Sequence, residues 1–128
     1  MTSSGQLHIL VIDDNQDILF MLQAMLRHRG YYVSIKEDIH ELDSFIEEAL
    51  PDIILMDMLL SGADGGEVCR HLKSIQKFSN IPVIMLSAHP QAKTECLAAG
   101  ADFFLEKPFE MSDLFSILDN AENNMKIN

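Results

Sequence analysis

The sequence predicts a doubly wound α/β domain, and three observations carry that prediction. Five short apolar runs alternate with five longer segments of helical period, turn residues fall between them, and polar residues gather where the runs end. Strict alternation of strand and helix implies a five-stranded parallel sheet with helices over both faces. A chain of 128 residues has room for one such domain. Residues 1–6, small and polar, are expected as a flexible N-terminal tail, and residues 7–128 as the domain.

The first run spans Leu7 to Ile12, and the segment after it places Ile18, Met21, Leu22 and Met25 at spacings of three and four. That spacing draws one apolar stripe along a helix. The second run, Tyr31 to Ile35, alternates Val33 and Ile35 with Tyr32, Ser34 and Lys36, the pattern of an edge strand. Ile39, Leu42, Phe45, Ile46 and Ala49 form the second helical stripe. The third run, Ile53 to Met56, is apolar at consecutive positions, which suits a strand covered on both faces. Val68, Leu72 and Ile75 follow it. The fourth run, Ile81 to Leu86, carries Pro82 near its start, where a missing ladder donor costs little. Ala92, Cys96 and Ala99 make the next stripe. The fifth run, Phe103 to Leu105, leads into Met111, Leu114, Phe115, Leu118 and Ala121. Gly30, Pro51, Asn80 and Gly100 punctuate the boundaries.

Composition excludes several classes of function. With 9 Lys+Arg against 20 Asp+Glu, the net charge is −11, so phosphate backbones and anionic membranes repel the chain. No apolar run approaches the ~18 residues that cross a bilayer. The N-terminus lacks the basic and apolar regions of a secretory signal, and cytoplasmic residence is the expectation. Cys69 and Cys96 stand singly without metal spacing and read as inert thiols. His8, His28, His40, His71 and His89 lie in separate elements and read as ordinary imidazoles.

The strand ends are the informative positions, because in a parallel sheet ligands bind beyond the carboxyl ends. The first run ends in Asp13-Asp14, the third in Asp57, the fourth in Ser87, and the fifth runs into Lys107-Pro108. Two carboxylates ~4 Å apart repel by roughly 4 kcal/mol at an effective dielectric of ~20. Such a cluster persists when a cation fills it. Oxygen donors without thiolate or imidazole point to a hard ion, Mg2+ before Ca2+. An ammonium and a hydroxyl beside it complete a phosphoryl-transfer site in which a carboxylate, already deprotonated, acts as nucleophile.

With these residues in order, the chain resembles the receiver domain of bacterial two-component response regulators from Leu7 to about Ala121. The matching pieces are Val-Ile-Asp13-Asp14, Ile-Leu-Met-Asp57, Gly65, Met-Leu-Ser87-Ala88, Gly100-Ala-Asp and Lys107-Pro108-Phe109. The resemblance implies a flavodoxin-like fold of strand order 2-1-3-4-5 with five helices. It implies Asp57 as the phosphoacceptor. Asp14, Asp57 and the Leu59 backbone carbonyl would ligate Mg2+, with Asp13 acting mostly through a water. Ser87 would contact the phosphoryl group and Lys107 would pair with it, aimed by a cis Lys107-Pro108 peptide. Ser87 and Phe104 would form the switch, reshaping the face of the fourth helix, fifth strand and fifth helix.

Three positions depart from the family pattern. Ser61 stands where proline is usual, which predicts a looser loop. Phe104 replaces the common switch tyrosine and has no hydroxyl to anchor either state. Leu59, one of two positions that tune hydrolysis with His89, offers no polar group to a water, which predicts a long-lived phosphoryl group. The implied partners are a sensor histidine kinase or histidine phosphotransfer protein and a downstream protein target or effector domain. No nucleic acid or membrane contact is expected. Glu110, Asp113, Asp119 and Glu122 precede any basic residue on the fifth helix, which favours a stand-alone receiver, with a phosphorylation-dependent dimer as a further implied state. The alternatives are a degenerate receiver that only binds proteins, an aspartyl phosphatase, and a nucleotide-binding relative. All of the implied site residues are retained, against the first. Leu59 stands where the phosphatase needs a second Asp, and the acidic Asp13-Asp14-Asn15-Gln16 turn would repel a nucleotide.

Overall fold

The computed structural model describes residues 5–60 and 62–127, with side chains to residue 125. Residues 1–4 of the expected tail, and Ser61 with its expected looser loop, lie outside the described residues. In chain order the elements are β1 (His8–Ile12), α1 (Gln16–His28), β2 (Tyr32–Lys36), α2 (Leu42–Ala49) and β3 (Ile53–Asp57). There follow β4 (Leu59–Leu60), β5 (Ala63–Asp64), α3 (Gly65–Ser74), β6 (Val83–Ser87), α4 (Ala92–Ala98), β7 (Phe103–Glu106) and α5 (Met111–Ile127).

The five long strands pair in parallel in the order β2-β1-β3-β6-β7. This is the expected 2-1-3-4-5 arrangement once the two-residue strands β4 and β5 are set aside. Those two form a small antiparallel hairpin, Leu59↔Asp64 and Leu60↔Ala63, which the apolar pattern did not announce. Its residues are too few to display a period.

Side-chain alternation divides the core into two layers. Ile9, Val11, Ile53, Leu55, Ile84 and Leu86 pack with Leu19, Leu22 and Leu26 of α1 and Leu114, Leu118 and Ala121 of α5. Leu10, Ile12, Ile54, Met56, Val83 and Met85 pack on the opposite face with α2, α3 and α4. A leucine such as Leu114 or Leu118, fully buried here, contributes roughly 1.5–3 kcal/mol, so helix docking rests on these stripes. Gly30 and Gly100 turn the chain at φ of 103° and 105° after α1 and α4, a region open to glycine without a Cβ clash.

The α1 stripe is one residue out of register with the expectation. Leu19, Leu22 and Leu26 are buried, whereas Met21 and Met25 are 46% and 38% exposed and Phe20 is 65% exposed. Ile18-Met21-Leu22-Met25 and Leu19-Leu22-Leu26 both satisfy helical spacing, and contact with the sheet selects the second. In α3 the buried apolar side chains are those of Cys69 and Leu72, while Val68 and Ile75 pack at the margin. Both cysteines are free and buried, and desolvation pushes the Cys69 thiol up to about 11. Among the histidines, His8 is buried between the Ala49 carbonyl and the Ser34 hydroxyl, at 3.1 and 2.7 Å. Among the described residues no helix is long and apolar enough to cross a membrane.

Candidate phosphoacceptor site

The sheet reverses its direction of winding between β1 and β3, and the crevice beyond their carboxyl ends is where an open α/β sheet receives a ligand. Two adjacent strands therefore deliver their terminal carboxylates side by side. Asp13 follows β1, with its N–H donating to the Lys36 carbonyl at 3.1 Å. Asp57 closes β3 in register with Leu86 of β6. One carboxylate oxygen from each of Asp13, Asp14 and Asp57 lies within 4.8 Å of the others. Asp13 and Asp57 are buried and Asp14 is exposed, so the group has a closed inner side and an open outer one.

Each buried carboxylate is held by backbone. The Asn15 N–H donates to Asp13 Oδ1 at 2.9 Å, and the Leu59 N–H donates to Asp57 Oδ1 at 3.3 Å. Asn15 also caps α1, its side chain accepting from the Ile18 N–H at 3.1 Å, as an N-cap residue does. Helix start and carboxylate orientation are thus settled by the same three residues. On the other wall, Lys107 lies at the end of β7. Its backbone N–H donates to the Ser87 carbonyl at 2.8 Å, and the Lys107-Pro108 peptide is cis. The ammonium reaches back across β6 to Asp13 Oδ2 at 3.2 Å and Asp57 Oδ2 at 3.4 Å. Ser87 is buried at the end of β6, with its Oγ accepting from the His89 N–H at 3.0 Å.

The electrostatics are unbalanced. Burial raises the Asp57 carboxyl above its usual value. The Lys107 ammonium opposes that rise and the Asp13 carboxylate adds to it. One ammonium, that of Lys107, faces the two buried carboxylates, and a divalent cation at the group would supply further positive charge. The donor set is all oxygen, which suits a hard ion of the Mg2+ type. Leu59 carries its apolar side chain outward, so no side-chain donor stands at that position.

Gly65 makes this crowding permissible. Its N–H donates to the Met58 carbonyl at 2.7 Å, and a Cβ there would meet the Asp57 carbonyl oxygen at 2.6 Å and Met58 Cα at 2.8 Å. The start of α3 therefore packs directly under Asp57. Phe104 lies in β7 opposite Met85, partly buried against the layer that holds Ala92 and Cys96 of α4.

Asp13, Asp14, Asp57, Leu59, Ser87 and Lys107 come to this one edge, with Phe104 set back from it along β7. The exposed patch of Phe20, Met21 and Met25 on α1 is not legible from helical spacing, which by itself places Met21 and Met25 in the core stripe. The consecutive apolar residues Ile18 to Leu22 were the available signal, being more than one helical face can bury.

Comparison with known proteins agrees with the geometry. Residues 9–119 match the family model of the response regulator receiver domain. The chain is 35% identical over 108 residues to the uncharacterized transcriptional regulatory protein YrkP of Bacillus subtilis, covering 83% of this chain and 45% of that protein. It is 33% identical over 112 residues to the virulence transcriptional regulatory protein PhoP of Salmonella typhimurium, covering 86% and 49%. The chain thus spans about half the length of these curated relatives. Among solved structures, the receiver domain of the sensor histidine kinase PA1611 from Pseudomonas aeruginosa superposes with a TM-score of 0.81 at 31% identity, covering 91% of this chain and 97% of that one. That structure has a magnesium ion coordinated in its active-site cleft. The chemotaxis protein CheY4 of Vibrio cholerae gives a TM-score of 0.84 at 27% identity, covering 91% and 99%. The chain belongs to the response regulator receiver domain family.

Proposed function

We propose that this chain is a phosphorylation switch: Asp57 accepts a phosphoryl group, in a Mg2+-dependent reaction, from a histidine kinase or phosphotransfer protein. The observation that carries this reading is the convergence of Asp13, Asp57 and Lys107 at one strand edge, with the ammonium 3.2 and 3.4 Å from the two carboxylates. An Asp57 carboxylate oxygen attacks phosphorus, the P–N bond of the donor breaks, and neutral imidazole leaves after taking up a proton. Lys107 holds charge against the transferring group, and the Leu59 N–H orients the nucleophile. Bound Mg2+ would add charge neutralisation at the phosphoryl oxygens, held by Asp14, Asp57 and the Leu59 carbonyl, with Asp13 acting through water. No base is required, since the nucleophile is a carboxylate.

The product carries roughly two negative charges where one stood, with strong acceptor oxygens. Ser87 would release the His89 N–H and turn toward them. Phe104, already packed against the α4 layer, would follow into the vacated space and reshape the α4–β7–α5 face. That is a two-state element biased by a local charge. The reading extends the domain over residues 7–128, and the output is a partner protein or an effector domain. A receiver that only binds partners is the weaker reading, because such a role does not need Asp13, Asp14, Asp57, Ser87 and Lys107 together.

Acetyl phosphate with intact-mass detection tests the proposal. Wild-type protein is expected to gain one phosphate adduct with Mg2+ and none with excess chelator. The adduct is expected to decay slowly, because Leu59 offers no side-chain donor to an attacking water. Absence of any adduct would leave the binding-only reading, and rapid decay would remove the argument from Leu59.

A protein donor must also dock. Helix α1 starts beside the acidic pair, and at 1.5 Å per residue Phe20 lies about 6 Å along the axis from Gln16. Its exposure together with Met21 and Met25 supports this helix as the contact for the donor. Phe20→Glu is expected to slow transfer from a phosphohistidine donor protein about tenfold, roughly the loss of one incompletely buried aromatic ring. Acetyl phosphate labelling of the same variant is expected to be unchanged. Equal transfer rates would place the donor elsewhere.

A further inference from the structure

A groove of about 590 Å3 opens away from the phosphoacceptor crevice, between the start of α2, the β4–β5 hairpin and the first turns of α3. Its floor is apolar, made by Ile39, Leu42, Ala63 and Val68, with Leu42 buried and the others partly so. Its rim is acidic, made by Glu41, Asp43, Asp64 and Glu67. Two of these carboxylates are engaged. Asp43 bonds His71 Nε2 across the groove at 2.7 Å, and Asp64 caps α3 through the Gly66 N–H at 2.8 Å. Glu41 and Glu67 are exposed, and their carboxylates make no hydrogen bond or ion pair among the described residues. Glu41 is also held at a φ of 52° as the residue preceding α2, which stands its segment up as one wall.

We propose that this groove docks a basic amphipathic segment of a partner protein, an apolar ridge flanked by Lys or Arg. The apolar floor excludes a bare hydrated cation as the best fit, since such an ion gains nothing from Ile39 or Val68. The acidic rim excludes nucleic acid and anionic membrane. A second copy of this chain, itself at −11 with 9 basic residues, presents the wrong charge. A helix with apolar residues at three- and four-residue spacing and basic residues beside them matches both the floor and the rim. The site is distinct from the α1 patch and from the α4–β7–α5 face, so a partner held here leaves donor docking unobstructed. One wall is Ala63 and Asp64, the hairpin strand paired with Leu60 and Leu59, so an occupant lies against the strand that pairs with the residue whose N–H holds Asp57.

The test is a 15N-detected titration with a synthetic peptide of about 14 residues, about four helical turns, bearing a leucine ridge flanked by arginines. The control peptide has glutamate in place of arginine. Amide shifts are expected at Ile39, Leu42, Ala63 and Val68 with the basic peptide and not with the control. Glu41→Lys combined with Glu67→Lys is expected to weaken binding at least about tenfold. Glu48→Lys combined with Glu95→Lys, of equal charge change at exposed positions outside the groove, is expected to leave it unchanged. The spectra themselves report that each variant is folded. Shifts centred on another face, equal binding by the groove variant, or no groove shifts at millimolar peptide would each overturn the proposal. Mg2+ or Ca2+ alone producing the same shifts and displacing the peptide would make this a cation site instead.

Discussion

Asp57→Asn is expected to lose the phosphate adduct completely and, without Mg2+, to unfold at a higher temperature than the wild type. The first effect follows because an amide is not a nucleophile toward phosphorus at neutral pH. The second follows from the cost of the Asp57 charge. Burial raises the Asp57 carboxyl, and the Asp13 carboxylate adds to the rise against Lys107. Between the ordinary value of 3.8 and the raised one, the folded chain keeps a proton that the unfolded chain has released. Stability from this group therefore falls as pH rises through that window and stays low above it. Asparagine does not titrate, so the difference between variant and wild type is expected to be small below pH 3.8 and to favour the variant at pH 7. A higher Tm for the variant at pH 7 is therefore expected by calorimetry. Mg2+ should narrow the gap, since an ion at about 100 times its Kd stabilises the wild type by about 2.7 kcal/mol. A variant that unfolds below the wild type at pH 7 would mean that Lys107 outweighs both burial and Asp13.

Gly65→Ala is expected to be severe although it adds one methyl group. That methyl would lie 2.6 Å from the Asp57 carbonyl oxygen, 2.8 Å from Met58 Cα and 2.9 Å from the Met58 carbonyl oxygen. All three are backbone atoms, so relief requires moving the start of α3 away from the end of β3. Overpacking of this kind costs about 3 kcal/mol, and a fall in Tm of about 10 °C is expected. The same movement disturbs the turn through which Leu59 holds Asp57. A displacement near 1 Å can cost about a hundredfold in rate, and acetyl phosphate labelling should slow accordingly. Gly66→Ala is the control, because its methyl would meet the Asp64 carboxylate at 3.1 Å, a side-chain atom able to shift. Comparable losses in both variants would mean that helix propensity, not contact with the end of β3, is being measured.

The family resemblance could be read because its signs are local. A polar residue ending an apolar strand needs no partner to be noticed, so Asp13, Asp57, Ser87 and Lys107 stood out before their neighbours were known. The parallel order then had to bring them to one edge. Other features were hidden for equally physical reasons. The α1 segment satisfies helical spacing with either of two stripes, and the sheet chose Leu19, Leu22 and Leu26. The β4–β5 hairpin is too short for a period. Gly65 is one matching residue among several in the sequence, and the carbonyl beneath it is visible only in the folded chain.

Periodicity and punctuation in the sequence were enough to establish five strands, five helices and the polar residues at their ends, because strand and helix repeats differ and glycine and proline interrupt both. Which apolar residues face outward, how near Lys107 comes to two carboxylates, and where a groove opens between α2 and α3 came from the packed chain alone. These are distances between residues far apart in sequence, and only the meeting of surfaces sets them.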